Sequence, residues 1–172
     1  NTSLAGAKVW SKAKPVHRLE IDDNARFWIA NRSGDTRVVE LFDNASTLGS
    51  SSFEAPIWNL AIAPQGQYAA ANSRGVARLF KAGKTFAQIQ LGEAFPVSLD
   101  VSDGGYVLLG LQSRKDKNCR VKLYDAAGVE KWSKTLPEDD NGHRPEVRFT
   151  PDGKAFTVRD QAALTLYTLE AP

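Results

Sequence analysis

The strongest constraint on this chain is a pattern that recurs four times. Residues 16–24, 57–66, 97–105 and 146–153 each read as a short alternating run that ends in a turn of Pro, Asp, Asn or Gly type. Their last apolar residues are Ile21, Ile62, Val101 and Phe149, spaced 41, 39 and 48 residues apart. Period-two alternation predicts strands, and the residues that follow predict tight turns. Each turn leads to a second apolar run (26–30, 67–71, 106–111, 154–159) and a third (36–42, 75–80, 120–124, 163–169). A fourth run follows in the first three units, around 51–54, 85–91 and 130–136. The small, polar segment 44–55 reads mainly as a loop. No sustained 3.6-residue periodicity with caps predicts a helix.

The fourth unit lacks a last strand, and its counterpart stands at the other end of the chain. Gly6-Ala7-Lys8-Val9-Trp10-Ser11-Lys12 resembles Gly128-Val129-Glu130-Lys131-Trp132-Ser133-Lys134. Sixteen strands in four units of about 43 residues match the period of β-propeller blades. The predicted fold is all-β: a β-propeller of four four-stranded blades, closed by pairing strand 6–12 into the last blade. Blades are expected at about 16–55, 56–94, 95–140 and 141–172, in a single domain spanning 1–172. The alternative is part of a larger propeller completed by another chain. Closure matters because it removes a free sheet edge.

The run Leu123-Tyr124-Asp125-Ala126-Ala127-Gly128-Val129-Glu130-Lys131-Trp132 resembles a pyrroloquinoline-quinone-type propeller repeat. That resemblance implies a docking tryptophan packed between neighbouring blades. Phe149-Thr150-Pro151-Asp152-Gly153-Lys154 and Ala63-Pro64-Gln65-Gly66-Gln67-Tyr68 are similar to the Ser-Pro-Asp-Gly-Lys turn of WD-like and TolB-like repeats. Trp10 and Trp132 supply the tryptophan, whereas the second unit has Ala87 at that place.

Function is less legible. Leu19, Leu60, Leu99 and Val147 are expected to pack between blades. The opposite phase puts Arg18, Glu20, Asn59, Asp100, Glu146 and Arg148 near the axis. They read either as an axial site for a small polar ligand or as a self-paired network filling a narrow channel. No nucleophile elbow, phosphate loop, dinucleotide fingerprint or metal-ligand spacing occurs. The acidic run 138–143 lacks the spacing of a calcium loop. No cofactor is predicted. Net charge is only +2, from 22 basic and 20 acidic side chains. The basic tip 114–120 lacks the aromatics that stack nucleic-acid bases, so no nucleic-acid partner is predicted. No run is long enough to span a membrane.

The expected function is a non-catalytic scaffold, a module of a longer protein, that binds a protein or peptide through its loop face. Candidate contacts are Pro56, Phe95, Pro96, His143 and Arg144. The alternative is a ligand-binding or enzymatic quinoprotein-like propeller with a polar axial pocket. A homodimer is expected if terminal strands are exchanged. The location is read as extracytoplasmic (periplasmic or cell surface), with cytoplasmic as the alternative.

Overall fold

The computed structural model describes residues 16–32, 34–44, 46–137, 144–160 and 163–169. Four antiparallel sheets follow one another along the chain. The first holds β1 (Val16–Ile21), β2 (Phe27–Arg32), β3 (Val38–Asp43) and β4 (Ser46–Ser52). The second holds β5 (Ile57–Ile62), β6 (Tyr68–Ser73), β7 (Val76–Lys81) and β8 (Lys84–Gln90). The third holds β9 (Phe95–Val101), β10 (Val107–Ser113), β11 (Asn118–Tyr124) and β12 (Glu130–Pro137). The fourth holds β13 (Glu146–Phe149), β14 (Ala155–Arg159) and β15 (Leu164–Thr168). Each is a simple meander, and the described residues contain no helix. The expected closing strand 6–12 lies outside the described residues.

One backbone device repeats in all four units. The residue four places after the last apolar residue of each inner strand is left-handed: Ala25, Gly66, Gly105 and Gly153, with φ of 54°, 72°, 77° and 66°. Three of the four are glycine, the residue that meets this conformation without Cβ strain. In the first unit Asp22 compensates, its Oδ1 accepting the N–H groups of Arg26 at 2.7 Å and Phe27 at 2.8 Å.

Strand β4 occupies the segment expected to be mostly loop. Its Ser-Thr-Leu-Gly-Ser-Ser-Ser sequence carries no alternation because it is an outer, solvent-facing strand. Gly49 lies against the backbone of Gly83 in the second sheet, where a Cβ would collide with the Gly83 carbonyl oxygen. Smallness was the signal there, and hydropathy carried none.

The sheets stack in chain order. The first packs on the second through β1, β2 and β4, the second on the third through β5 and β6, and the third on the fourth through β9 and β10. Three apolar clusters fill these junctions. Ile29, Val39 and Leu41 meet Leu60, Ala69 and Phe80 at the first. Leu79, Ala77 and Ile89 meet Leu99, Val107 and Leu109 at the second. Leu108, Val121 and Leu123 meet Val147, Phe156 and Val158 at the third. Among the described strands, no comparable contact joins the fourth sheet to the first.

That arrangement corrects one expectation. Leu60, Leu99 and Val147 are buried, with 7%, 5% and 1% of their surface exposed, but Leu19 is 52% exposed. Each of the first three faces the preceding sheet in the stack. Leu19 has the same phase, and no described sheet precedes its own.

Candidate functional site

The inner strands start at one end of the stack, where residues 53–56 join the first sheet to the second and 91–94 join the second to the third. Near that end three inner strands carry a β-bulge at the same place in the repeat. His17 in β1, Trp58 in β5 and Val97 in β9 have no residue opposite them. A bulge bends its strand and re-aims the extra side chain, and bulges recur beside binding sites. Alternation alone does not reveal this, because a bulge is one residue inserted into an otherwise continuous pattern.

The re-aimed Trp58 ring stacks on Phe95, with centroids 5.5 Å apart and planes 4° from parallel. The Arg114 guanidinium, from the β10–β11 connection, lies 4.8 Å above the Phe95 ring centroid. Trp58 and Phe95 are half-buried and Arg114 is exposed. This ladder brings together the predicted contact Phe95 with two residues that sequence reasoning did not select. Pro56 and Arg144 are exposed at the same end. Pro96 is not available as a contact: it lies buried within β9 and not in a loop. Its carbonyl accepts the Asn59 Nδ2–H at 3.3 Å. His143 lies outside the described residues.

Beside this end an open cleft of about 460 Å³ is lined by Arg18, Glu20, Asn59, Glu146 and Arg148, with Arg144 at its side. The polar phase of the inner strands therefore converges, Asp100 excepted. Asp100 turns to the backbone, its Oδ2 accepting the Phe149 N–H at 2.7 Å and its Oδ1 the Val101 N–H at 3.0 Å. It ties the third sheet to the fourth. Ser98 does the same by donating its hydroxyl to the Pro145 carbonyl at 2.7 Å. Asn59 spans the second and third sheets, and it also takes up Asn72 Oδ1 at 3.1 Å through its amide. Much of the polar inner layer is thus used as inter-sheet fastening.

The charged residues are arranged differently. Glu146 forms an ion pair with Arg159. Among the described residues, the side chains of Arg18, Arg144 and Arg148 make no ion pair or hydrogen bond. Burial pushes the Asp100 carboxyl above its usual range, against the two N–H bonds and the Arg148 charge that hold it down. Partial desolvation also pushes Glu20 up, opposed by Arg148, reinforced by Asp100 and opposed again by Arg18. Such a cleft suits a polar ligand more than an apolar one. No group of three or more His, Cys, Asp or Glu placed to hold a metal occurs among the described residues. Cys119, flanked in sequence by basic residues, is buried in β11.

No protein-family model matches the chain, and no curated protein matches it. Many solved structures do. One is a Kluyveromyces Hsv2 in which loop 6CD is replaced by a Gly-Ser linker, a seven-bladed propeller-like protein. The two share 9% identity and superpose with a TM-score of 0.66 over 81% of this chain and 48% of that one. The chain thus spans about half the length of the structure it resembles. The likeness establishes a propeller-type fold. No helix of the described residues is long and apolar enough to cross a membrane.

Proposed function

We propose that this chain is a non-catalytic binding module, part of a longer extracytoplasmic protein, that takes a protein or peptide partner on the end where its sheets are joined. The observation that carries the reading is the Trp58–Phe95–Arg114 ladder. Half-buried aromatics with an arginine are the side chains that anchor protein interfaces. Here they sit on rigid strands beside exposed Pro56 and Arg144. The strands are fastened by buried bonds, so the ladder loses little freedom on binding.

The test is selection of displayed peptides on the intact chain, followed by affinity measurement. Phe95→Ala is expected to weaken selected peptides at least about tenfold, in line with loss of an interface anchor. Melting temperature serves as the control for folding. Peptides that bind Phe95→Ala and Arg144→Ala as well as the original chain would refute the reading.

A second reading rests on the cleft. The side chains of Arg18, Arg144 and Arg148 line or flank it with no ion pair among the described residues, which favours a small polar ligand bearing negative charge. An isothermal titration series of small di- and tricarboxylates and phosphates would support it if binding vanished in Arg148→Ala. Binding that ignored this change would refute it.

A further inference from the structure

The end where the inner strands start also carries the connections between second and third strands, because every sheet is an antiparallel meander. These connections are basic and firmly held. Residues 114–117 read Arg-Lys-Asp-Lys. The carboxylate among them is used internally: Asp116 Oδ2 accepts the Ser113 hydroxyl at 2.9 Å and lies 3.5 Å from Arg120. Arg114 rests on the Phe95 ring, and the side chains of Arg114, Lys115 and Lys117 make no ion pair or hydrogen bond among the described residues. Arg74 is exposed on the preceding sheet's hairpin and is likewise without an ion pair there. That hairpin is pinned by Ser73, whose hydroxyl lies 2.8 and 2.9 Å from the Ala55 and Pro56 carbonyls. Arg144 precedes the buried Pro145, whose carbonyl sits where a Cβ on Gly110 would come within 2.8 Å of it.

Charges at the opposite end are engaged differently. Asp22 and Asp152 accept N–H groups of the turns they begin. Asp125 accepts two such groups and pairs with Lys131 at 3.0 Å. Arg26 pairs with Asp43 at 2.9 Å. The contrast is with Arg74, Arg114 and Arg144, which are fixed in place by their surroundings but bind no carboxylate among the described residues. Two clefts flank the Trp58–Phe95–Arg114 ladder. The axial one, of about 460 Å³, offers Arg18 and Arg148, with Arg144 at its side. The other, of about 290 Å³, lies towards the rim between the second and third sheets. It starts at Ala94, next to Phe95, and is lined by Ser113, Lys115 and Arg120, with Glu93 at its edge. A strip thus runs from axis to rim in the order cationic, aromatic, cationic.

Resting on the binding reading of this end, we propose that its partner is an extended acidic peptide. An apolar or aromatic residue of the peptide stacks on Trp58 and Phe95. Carboxylates on one side of it meet Arg144 and Arg148 at the axial cleft, and carboxylates on the other side meet Lys115 at the rim cleft. Guanidinium groups suit this role because their paired N–H groups match the two oxygens of a carboxylate. Only a ligand of some length uses the whole strip: a small anion fills one cleft, and a flat anionic membrane reaches the exposed side chains but enters neither cleft.

The test is selection from a charge-balanced displayed-peptide library on the intact chain, followed by anisotropy titration of the selected peptides with a fluorescein label. Peptides that require Phe95 are expected to carry Asp and Glu on both sides of an aromatic or aliphatic residue. Arg144→Glu and Lys115→Glu, with melting temperature as the control for folding, are each expected to weaken them at least about tenfold. Glu93→Gln is expected to tighten them about twofold, by removing a like charge at the rim. Phe95-dependent peptides that are neutral or basic overturn the acidic assignment and leave the binding reading standing. Absence of any Phe95-dependent peptide overturns both. Acidic peptides indifferent to Arg144→Glu and Lys115→Glu overturn the proposed placement. Sedimentation of the chain with phosphatidylcholine–phosphatidylserine vesicles, lost in Arg144→Glu and without selection of acidic peptides, overturns it in favour of a membrane surface.

Discussion

The junction between the second and third sheets and the two ends of the stack are made of the same repeat but meet different surroundings. At the junction, Leu99 and Leu109 pack on Leu79 and Ala77, and almost nothing apolar is exposed. At the first end, Leu19 and Ile21 are half exposed on β1. At the last end, Leu164 and Leu166 on β15 are 69% and 60% exposed. The side chains are equivalent by position and chemistry, so the difference lies in the neighbour. A propeller-type sheet cannot bury its own two faces, and each face is completed by the next sheet. The described strands therefore form an arc whose apolar side chains are buried inside it and partly exposed on its first and last strands.

The comparison is sharpest in the inner leucines. Leu99→Ala is expected to destabilise the chain by about 2–5 kcal/mol, the range for a truncated core leucine. Leu19→Ala, at the equivalent place, is expected to change stability by less than about 0.5 kcal/mol. Urea unfolding of the two variants measures both. Equal losses would show that Leu19 is as well covered as Leu99.

A smaller effect is expected from the fastening between the third and fourth sheets. Asp100→Ala leaves the Phe149 N–H without its partner and is expected to lose about 1–3 kcal/mol in the same assay. Its pH dependence has a definite sign. Because burial raises the folded-state pKa of Asp100, the native state holds that proton more tightly than the unfolded chain does. Stability from this group falls as pH rises from the usual carboxylate range through its raised folded value. Asp125 works the other way, held below its usual range first by the Val129 N–H and then by Lys131. Its contribution is present above the usual carboxylate range and lost as pH falls through its lowered value. In a pH titration of stability, Asp100→Asn should flatten the upper limb and Asp125→Asn the lower one.

The smallest effect tests the repeated turn. Ala25 is the one alanine at a position held by glycine in the other three units. Ala25→Gly is expected to raise stability by up to about 1 kcal/mol, relief of left-handed strain offset by added freedom of the unfolded chain. A loss would mean that the first turn is held differently from its three counterparts.

Much of the fold was legible because the unit repeats. Ile62 and Val101 end strands with the same turn geometry, and reading one unit gave the others. Strand β4 was obscured because an exposed outer strand needs no apolar phase. Leu19 misled for the opposite reason: its pattern predicts burial, but burial depends on a sheet that local sequence does not reveal. At the site, Arg18, Glu20, Asn59, Glu146 and Arg148 line one cleft. Asp100 left that set because a backbone N–H from the next sheet lies within its reach, a distance no single strand encodes. Trp58 and Arg114 were missed because a bulge and a cross-connection, not spacing, bring them to Phe95.

Hydrogen exchange across the strands tests most directly whether the stack is an arc with unfinished ends. The account predicts that peptides covering β1 and β15 exchange at least about tenfold faster than those covering β5 and β9, since low local burial permits local opening. Exchange in β1 and β15 as slow as in β9 would contradict it and show that the first and fourth sheets are joined in a ring.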